Sequence, residues 1–352
     1  MKTILKIIIF SLIVAMPVTP SCVTVDNHVA PSNINGTNKE VIRIALYDSI
    51  SPSVNLLEQS LRYEWEANET TYVLVVERID NHDVLAGKLN KENYDALVIG
   101  ASGRQYFHAI TERWKEKVKN FIYKGGGYLG ICGGANIVSK GVEHPETFLD
   151  LLINEASLGI VNIYINDNQD EEWQYLWKDT GEDHIPLKTW IDANCSIFKG
   201  YGEKSRLITY GGGPGMYLAN ESDKKLGEVK PIAVYLEEPM DVAPLHYWIW
   251  KNGEWQISGN VTTDIRGQWA GIETRYGQGK IIIFGHHPEI SPMMNGSITE
   301  FFGFSIYGIP RYVYKWEGGE QTSMDYNWWI LRRSVAYVAD VPEENFPMMS
   351  AH

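Results

Sequence analysis

Gly127-Tyr128-Leu129-Gly130-Ile131-Cys132-Gly133-Gly134-Ala135 decides how this chain folds. A short apolar run of strand character leads into a cysteine flanked by glycines. This is the Gly-x-nucleophile-x-Gly pattern of a strand-to-helix elbow. The glycines have a mechanical purpose: without a Cβ they let strand and helix approach closely while the central side chain projects from a strained turn. The amide of Gly133 can then face a developing oxyanion, and the positive end of the following helix favours a thiolate.

Outward from Cys132 the chain alternates strand and helix. Residues 41–47 are an apolar, β-branched run, as in strands buried on both faces of a parallel sheet. Ser51 and Pro52 supply an N-cap and a first-turn proline, and Val54, Leu57 and Leu61 recur at helical spacing. Residues 72–76 and 96–99 read as strands, with a short helix over 84–89 and a Gly100-Ala101-Ser102-Gly103 turn after the second strand. Ile110, Trp114, Val118, Phe121 and Ile122 form the apolar face of a long helix that stops at Gly125-Gly126-Gly127. Repeated βα units of this length predict a doubly wound sheet with right-handed crossovers.

After residue 150 the pattern loosens. Strands are expected at 207–210 and 232–236, and at 271–276 paired with 280–284. Asn252-Gly253 between Ile249-Trp250-Lys251 and Glu254-Trp255 predicts a hairpin with a type I′ turn. Its tryptophans, with Trp248, could form a stacking platform for a sugar, but a hairpin packed on the domain is the commoner outcome. A helix is expected over about residues 326–338.

The N-terminus carries Lys2 and Lys6 before the apolar residues 7–18, which is a signal-peptide pattern and too short for a membrane-spanning helix. Cleavage before Cys22 would leave a cysteine open to lipidation and membrane attachment, although Thr19 stands where a lipobox has leucine. Six Asn-x-Ser/Thr sequons, at Asn35, Asn68, Asn194, Asn220, Asn260 and Asn295, agree with export to the cell surface or beyond. The predicted organisation is a signal peptide over 1–21 and a flexible tether over 22–39. A single domain follows over 40–300, with an insertion at about 150–260, and then a C-terminal extension over 301–352 packed on it. The net charge of −13 is spread along the chain with no Lys/Arg cluster, so nucleic acid is not an expected partner. With three cysteines, the chain is no disulfide-stapled scaffold.

The second half of the site is Gly285-His286-His287-Pro288-Glu289, directly after the strand at 280–284. Its side chains and Cys132 both lie at carboxyl ends of strands, where open α/β sheets form their ligand crevice. His287 would take the thiol proton and return it to a leaving group, while Glu289 would orient the imidazole. His286 lacks a Glu two residues on. A Cys132–Cys195 disulfide is the main alternative for an exported chain, and His108, His144, His184 and His246 read as solvated or packing residues. No metal-ligand spacing is present, so neither metal nor cofactor is expected.

These residues resemble the class I glutamine amidotransferase superfamily: Gly-Ile-Cys-Gly-Gly-Ala at 130–135, and His-Pro-Glu at 287–289 after Gly-Lys-Ile-Ile-Ile-Phe. The nearest branch is the domain at the N-terminus of some eukaryotic biotin-protein ligases, to whose glycine-rich turn Tyr210-Gly211-Gly212-Gly213 is similar. The resemblance covers residues 40–300. It implies a flavodoxin-like three-layer α/β/α sandwich with a mostly parallel sheet and a Cys132-His287-Glu289 triad. It also implies oxyanion amides at Gly133 and the Gly100 turn, and Gly211, Gly212 and Gly213 beside a ligand. Gly100-Ala101-Ser102 departs from the family's Pro-Gly-Gly, and no synthetase domain is present to receive ammonia. The expected function is therefore a thiol amidase or hydrolase acting on a small amide or peptide-like molecule. A non-catalytic ligand- or partner-binding surface module is the alternative, and a structural surface glycoprotein is a third reading.

Overall fold

The β-branched run at the start of the domain forms β1 (Asn38–Tyr47), and its alternate side chains point into two different cores. Ser51 caps α1 (Pro52–Leu61) by accepting the Ser53 amide at 3.3 Å. There follow β2 (Glu64–Ala67), β3 (Thr70–Ile79), α2 (Asn81–Ala86), β4 (Ala96–Ile99), α3 (Arg104–Ala109), α4 (Glu112–Tyr123), β5 (Gly127–Ile131), α5 (Gly133–Val138) and α6 (Phe148–Ala156). The second half contributes β6 (Ile163–Asn166), β7 (Ile185–Ile191), β8 (Ser205–Tyr210), β9 (Gly215–Leu218), β10 (Lys230–Tyr235), β11 (His246–Lys251), β12 (Glu254–Asn260), β13 (Trp269–Tyr276), β14 (Gly279–Phe284) and α7 (Trp328–Val338). The computed structural model describes residues 38–49, 51–166, 185–219, 223, 225–244, 246–260, 262–304 and 310–349.

The parallel core of the sheet runs β3-β1-β4-β5-β14, the second-first-third-fourth-fifth order of a flavodoxin-like sheet. The remaining pairings are antiparallel: β2 on one edge, and β13, β10, β7 and β8 beyond β14, with β9 and β6 branching from β13. The sheet is therefore mixed around a parallel centre. Strands from the segment after residue 150 extend this same sheet.

Helices cover both faces. On one, Ile44 and Leu46 of β1, Leu129 of β5 and Phe284 of β14 pack with Leu57 of α1 and with Trp329, Leu331 and Val335 of α7. On the other, Ala45, Tyr128 and Ile283 pack with Trp114 and Val118 of α4, Ile137 of α5 and Ile153 of α6. Fully burying one such side chain contributes about 1.5–3 kcal/mol, so these two layers hold the sheet flat against its helices.

Three local expectations change. The predicted long helix is two helices, because Ile110 closes α3 and is 37% exposed, and Thr111 restarts the chain in extended conformation. The short helix begins at Asn81, because Asp80 and Asp83 form a capping box that sets its start. At the β11–β12 hairpin the type I′ turn forms, with positive φ at both Asn252 (55°) and Gly253 (83°), but Trp250 is 61% exposed, its ring meeting that of Trp255 at 5.4 Å.

The elbow depends on glycine. A Cβ on Gly134 would lie 2.1 Å from the Ile99 carbonyl oxygen of β4, and one on Gly130 would lie 2.7 Å from the Gly134 carbonyl oxygen. Gly134→Ala is expected to cost about 2–3 kcal/mol or more, because α5 must move away from β4. A lowered urea midpoint with unchanged slope checks this, and a midpoint equal to wild type would refute it.

Candidate active site

Cys132 ends β5 and opens α5 with φ 52° and ψ −106°, a conformation costly for any residue with a Cβ. Its amide donates to the Phe284 carbonyl at 2.7 Å, so β14 holds the elbow from the side that also delivers the histidine. Gly133 is the first residue of α5, where amides have no partner in the helix's own ladder. A Cβ there would meet Ser102 O at 2.5 Å and Gln105 Nε2 at 2.6 Å, so the turn after β4 closes directly over the elbow.

β14 carries the chain past Gly285 to His287. The His287 amide donates to Thr209 O at 2.8 Å and the Thr209 hydroxyl donates to Ile290 O at 3.0 Å, which clamps the loop to β8. From α7, the Trp328 indole donates to Glu289 O at 3.0 Å. Within the loop, His287 Nδ1 bonds Glu289 Oε1 at 2.9 Å, and the Cys132 sulfur lies near enough to the ring to favour its charged form. His287 is 1% exposed and Glu289 0%, while Cys132 is half-buried, so of the three residues Cys132 is the one open to solvent.

The charges follow from this packing. Burial opposes the imidazolium of His287, but the Glu289 carboxylate and the Cys132 sulfur beside it outweigh burial and raise it to about 10. His286 has the opposite environment: burial, and then the charge of His287, push it down to about 3, and neither ring nitrogen has a hydrogen-bond partner. It stacks on Phe284 at 5.2 Å and serves as a neutral packing ring.

The structure brings Cys132, His287, Glu289 and Gly133 together. A Cβ on Gly213 would stand 3.3 Å from Cys132 Sγ and 1.8 Å from Gly285 O, so only glycine fits where the turn passes the sulfur. Gly211 is buried beside it, and Gly212 has φ +80° with open space around its Cβ position. Gly100 itself packs against α1, its Cβ position lying 2.6 Å from Leu57 Cδ1 and 3.1 Å from Ser53 Oγ; Ser102 makes the contact with the elbow. The Cys132–Cys195 bridge does not form: both thiols are free, and burial pushes Cys195 up to about 12. Residues 1–37, which hold the expected signal peptide and most of the expected tether, and His184 lie outside the described residues; Asn38 and Lys39, the last two of that tether, are in β1.

Sequence reasoning missed Ser53, whose hydroxyl donates to Glu289 Oε1 at 2.7 Å, and Trp328. Ser53 carried one usable signal, a serine one residue inside a helix whose cap was already supplied by Ser51. It also missed Asp80, His82 and Asp83, whose ligand atoms lie within 4.8 Å of one another. Asp80 and Asp83 are already engaged as the α2 capping box.

The flavodoxin-like sheet thus brings a cysteine on a strand-to-helix elbow beside a His-x-Glu at the neighbouring strand end. A family model described as Biotin-protein ligase, N terminal, matches residues 72–301, more than half of the chain and inclusive of Cys132, His287 and Glu289. The chain belongs to the biotin-protein ligase N-terminal family. No curated protein matches it. Among solved structures it is similar to a ThuA-like protein from Bacteroides uniformis, 11% identical over 73% of this chain and 86% of that one, with a TM-score of 0.35. A glutamine amidotransferase from Thermotoga maritima is 9% identical over 70% and 76%, with a TM-score of 0.35. A β-galactosidase from Bacillus circulans sp. alkalophilus is 8% identical over 74% of this chain and 33% of that one, with a TM-score of 0.35.

The raised His287 makes stability depend on pH. Its folded value, about 10, lies above the ordinary 6.5, so its contribution is complete below pH 6.5 and is lost as pH rises towards 10. Urea unfolding should show stability falling across that window, by at most about 1.4 kcal/mol per pH unit from this group. His287→Gln should flatten that part of the profile. Equal slopes in the two proteins would contradict the assignment.

Proposed function

We propose that this chain is an exported cysteine-dependent amidase or hydrolase acting on a small amide or peptide-like substrate. The observation that carries the reading is His287, fully enclosed, bonded through Nδ1 to Glu289 and close enough to the Cys132 sulfur for that sulfur to favour its charged form. In the reaction the Cys132 thiolate attacks the substrate carbonyl carbon, and the Gly133 amide faces the oxygen that takes up the negative charge. Collapse breaks the C–N bond, the leaving amine takes the proton from His287, and a thioester remains on Cys132. Water then attacks that thioester, His287 accepts the water proton, and the acid departs as the sulfur regains its charge. Glu289 keeps the imidazole oriented through both halves.

Export rests on the N-terminal pattern and on the exposure of Asn68, Asn194, Asn260 and Asn295, the sequon asparagines among the described residues. Among the described residues no helix is long and apolar enough to cross a membrane. In this reading, membrane attachment is through the N-terminal segment or a lipid on Cys22.

Two measurements test the reading. Iodoacetamide should alkylate Cys132 at pH 6, where an ordinary thiol is almost wholly protonated, and His287→Ala should slow this at least tenfold. Equal rates in the two proteins would leave the alternative, a non-catalytic module binding a ligand in the same crevice. When expressed in a secreting host, the chain should appear outside the cytosol with its N-terminus at or near Cys22, and intact chain retained in the cytosol would sink the export claim.

A further inference from the structure

Ser53 sits in the first turn of α1, 5% exposed, on the face turned towards the triad. It is not needed as a cap, since Ser51 accepts the Ser53 amide. A buried hydroxyl is costly unless bonded, and both bonds of this one go to the site. It accepts the Ala101 amide at 3.4 Å and donates to Glu289 Oε1 at 2.7 Å, the oxygen that also bonds His287. An amide can only donate, so the hydroxyl's single proton is committed to the carboxylate. The other carboxylate oxygen, Glu289 Oε2, is buried with no partner, so Oε1 is where the carboxylate is held. The absence of a side chain at Gly100 makes the room: a Cβ there would press on Ser53 Oγ at 3.1 Å.

We propose that Ser53 is a positioning residue of the Cys132–His287–Glu289 site, fixing the Glu289 carboxylate and tying it to the turn that covers the elbow. The inference rests on the catalytic reading given above and adds a fourth member to it. Hydrogen bonds to a charged group are stronger than neutral ones, and a carboxylate free to rotate holds an imidazolium less well. Loss of the Ser53 hydroxyl therefore weakens the pairing of His287 with both of its neighbours while leaving Cys132 in place.

The test uses the full chain and iodoacetamide, with alkylation at Cys132 read by peptide mapping from pH 4 to 11. A paired sulfur and imidazole titrate together, giving two inflections that bound the interval over which they react as an ion pair. Ser53→Ala should narrow that interval by about one pH unit, with a melting curve showing the protein folded. Ser53→Thr, which keeps the hydroxyl, should restore it. In a Glu289→Gln background, Ser53→Ala should have no further effect. Ser53→Gly removes the hydroxyl without adding bulk and is read the same way if the alanine variant does not fold. An unchanged interval in folded Ser53→Ala, or a shift that persists with Glu289→Gln, overturns the proposal while the triad stands. A wild-type profile with the single inflection of an ordinary thiol overturns the catalytic reading and this proposal with it.

Discussion

The hydrogen bond from the Cys132 amide to the Phe284 carbonyl joins β5 to β14 at the point where both strands deliver their functional loops. Everything at the site depends on that join. Cys132 occupies a backbone conformation that a residue with a Cβ adopts at a cost of about 1–3 kcal/mol, and it persists because its surroundings leave no alternative. Gly130 and Gly134 let α5 sit against the sheet, Tyr128 donates its hydroxyl to Gly134 O at 2.7 Å, and Ser102 closes over Gly133. The strain is local and the restraint is spread over β4, β5 and β14.

The second constraint is electrostatic. Carboxylate and imidazolium buried together lose their hydration, and their attraction repays this only where the remaining lone pairs and protons find partners. Here Ser53 supplies one such partner, while Glu289 Oε2 has none among the described residues. An arrangement chosen for stability alone would place apolar groups there. The pair is therefore weak evidence for stability, and it stands beside a half-buried cysteine. The loop that carries the pair is pinned from outside the parallel core, by β8 through Thr209 and by α7 through Trp328. The later parts of the chain thus hold the site as well as extending the sheet.

Much of this was legible in the sequence, for identifiable reasons. The elbow shows because glycine spacing around a cysteine is a backbone requirement written in residue types. The strands β1, β4, β5 and β14 show because strands buried on both faces read as continuous apolar runs. What remained hidden depends on contacts between distant segments. Ser53 stands 236 residues from Glu289 and reads locally as one more polar residue at a helix start. Trp328 reads as core, and it is core, but its indole proton also fixes the Glu289 backbone. Ile110 matched the helical period by counting alone, and only the break at Thr111 turns it outward. Gly100 was read with its turn, but the fold puts Ser102 against the elbow and gives Gly100 to α1.

The two adjacent histidines show why sequence adjacency could propose the base but not explain it. His286 and His287 are both buried at the end of β14, with the same covalent chemistry and successive positions. Beyond the end of β14 the chain bends, and His286 lies on Phe284 with neither ring nitrogen hydrogen-bonded among the described residues, while His287 meets a carboxylate and a sulfur. Burial penalises the charged form of both, yet one is pushed down to about 3 and the other up to about 10. The difference is made by Glu289, two residues on, whose carboxylate reaches His287 alone and whose own position is fixed by Ser53 from the far side of the sheet's edge. A neutral ring that completes the core and a charged ring that can carry a proton are therefore produced from one dipeptide by what each ring faces.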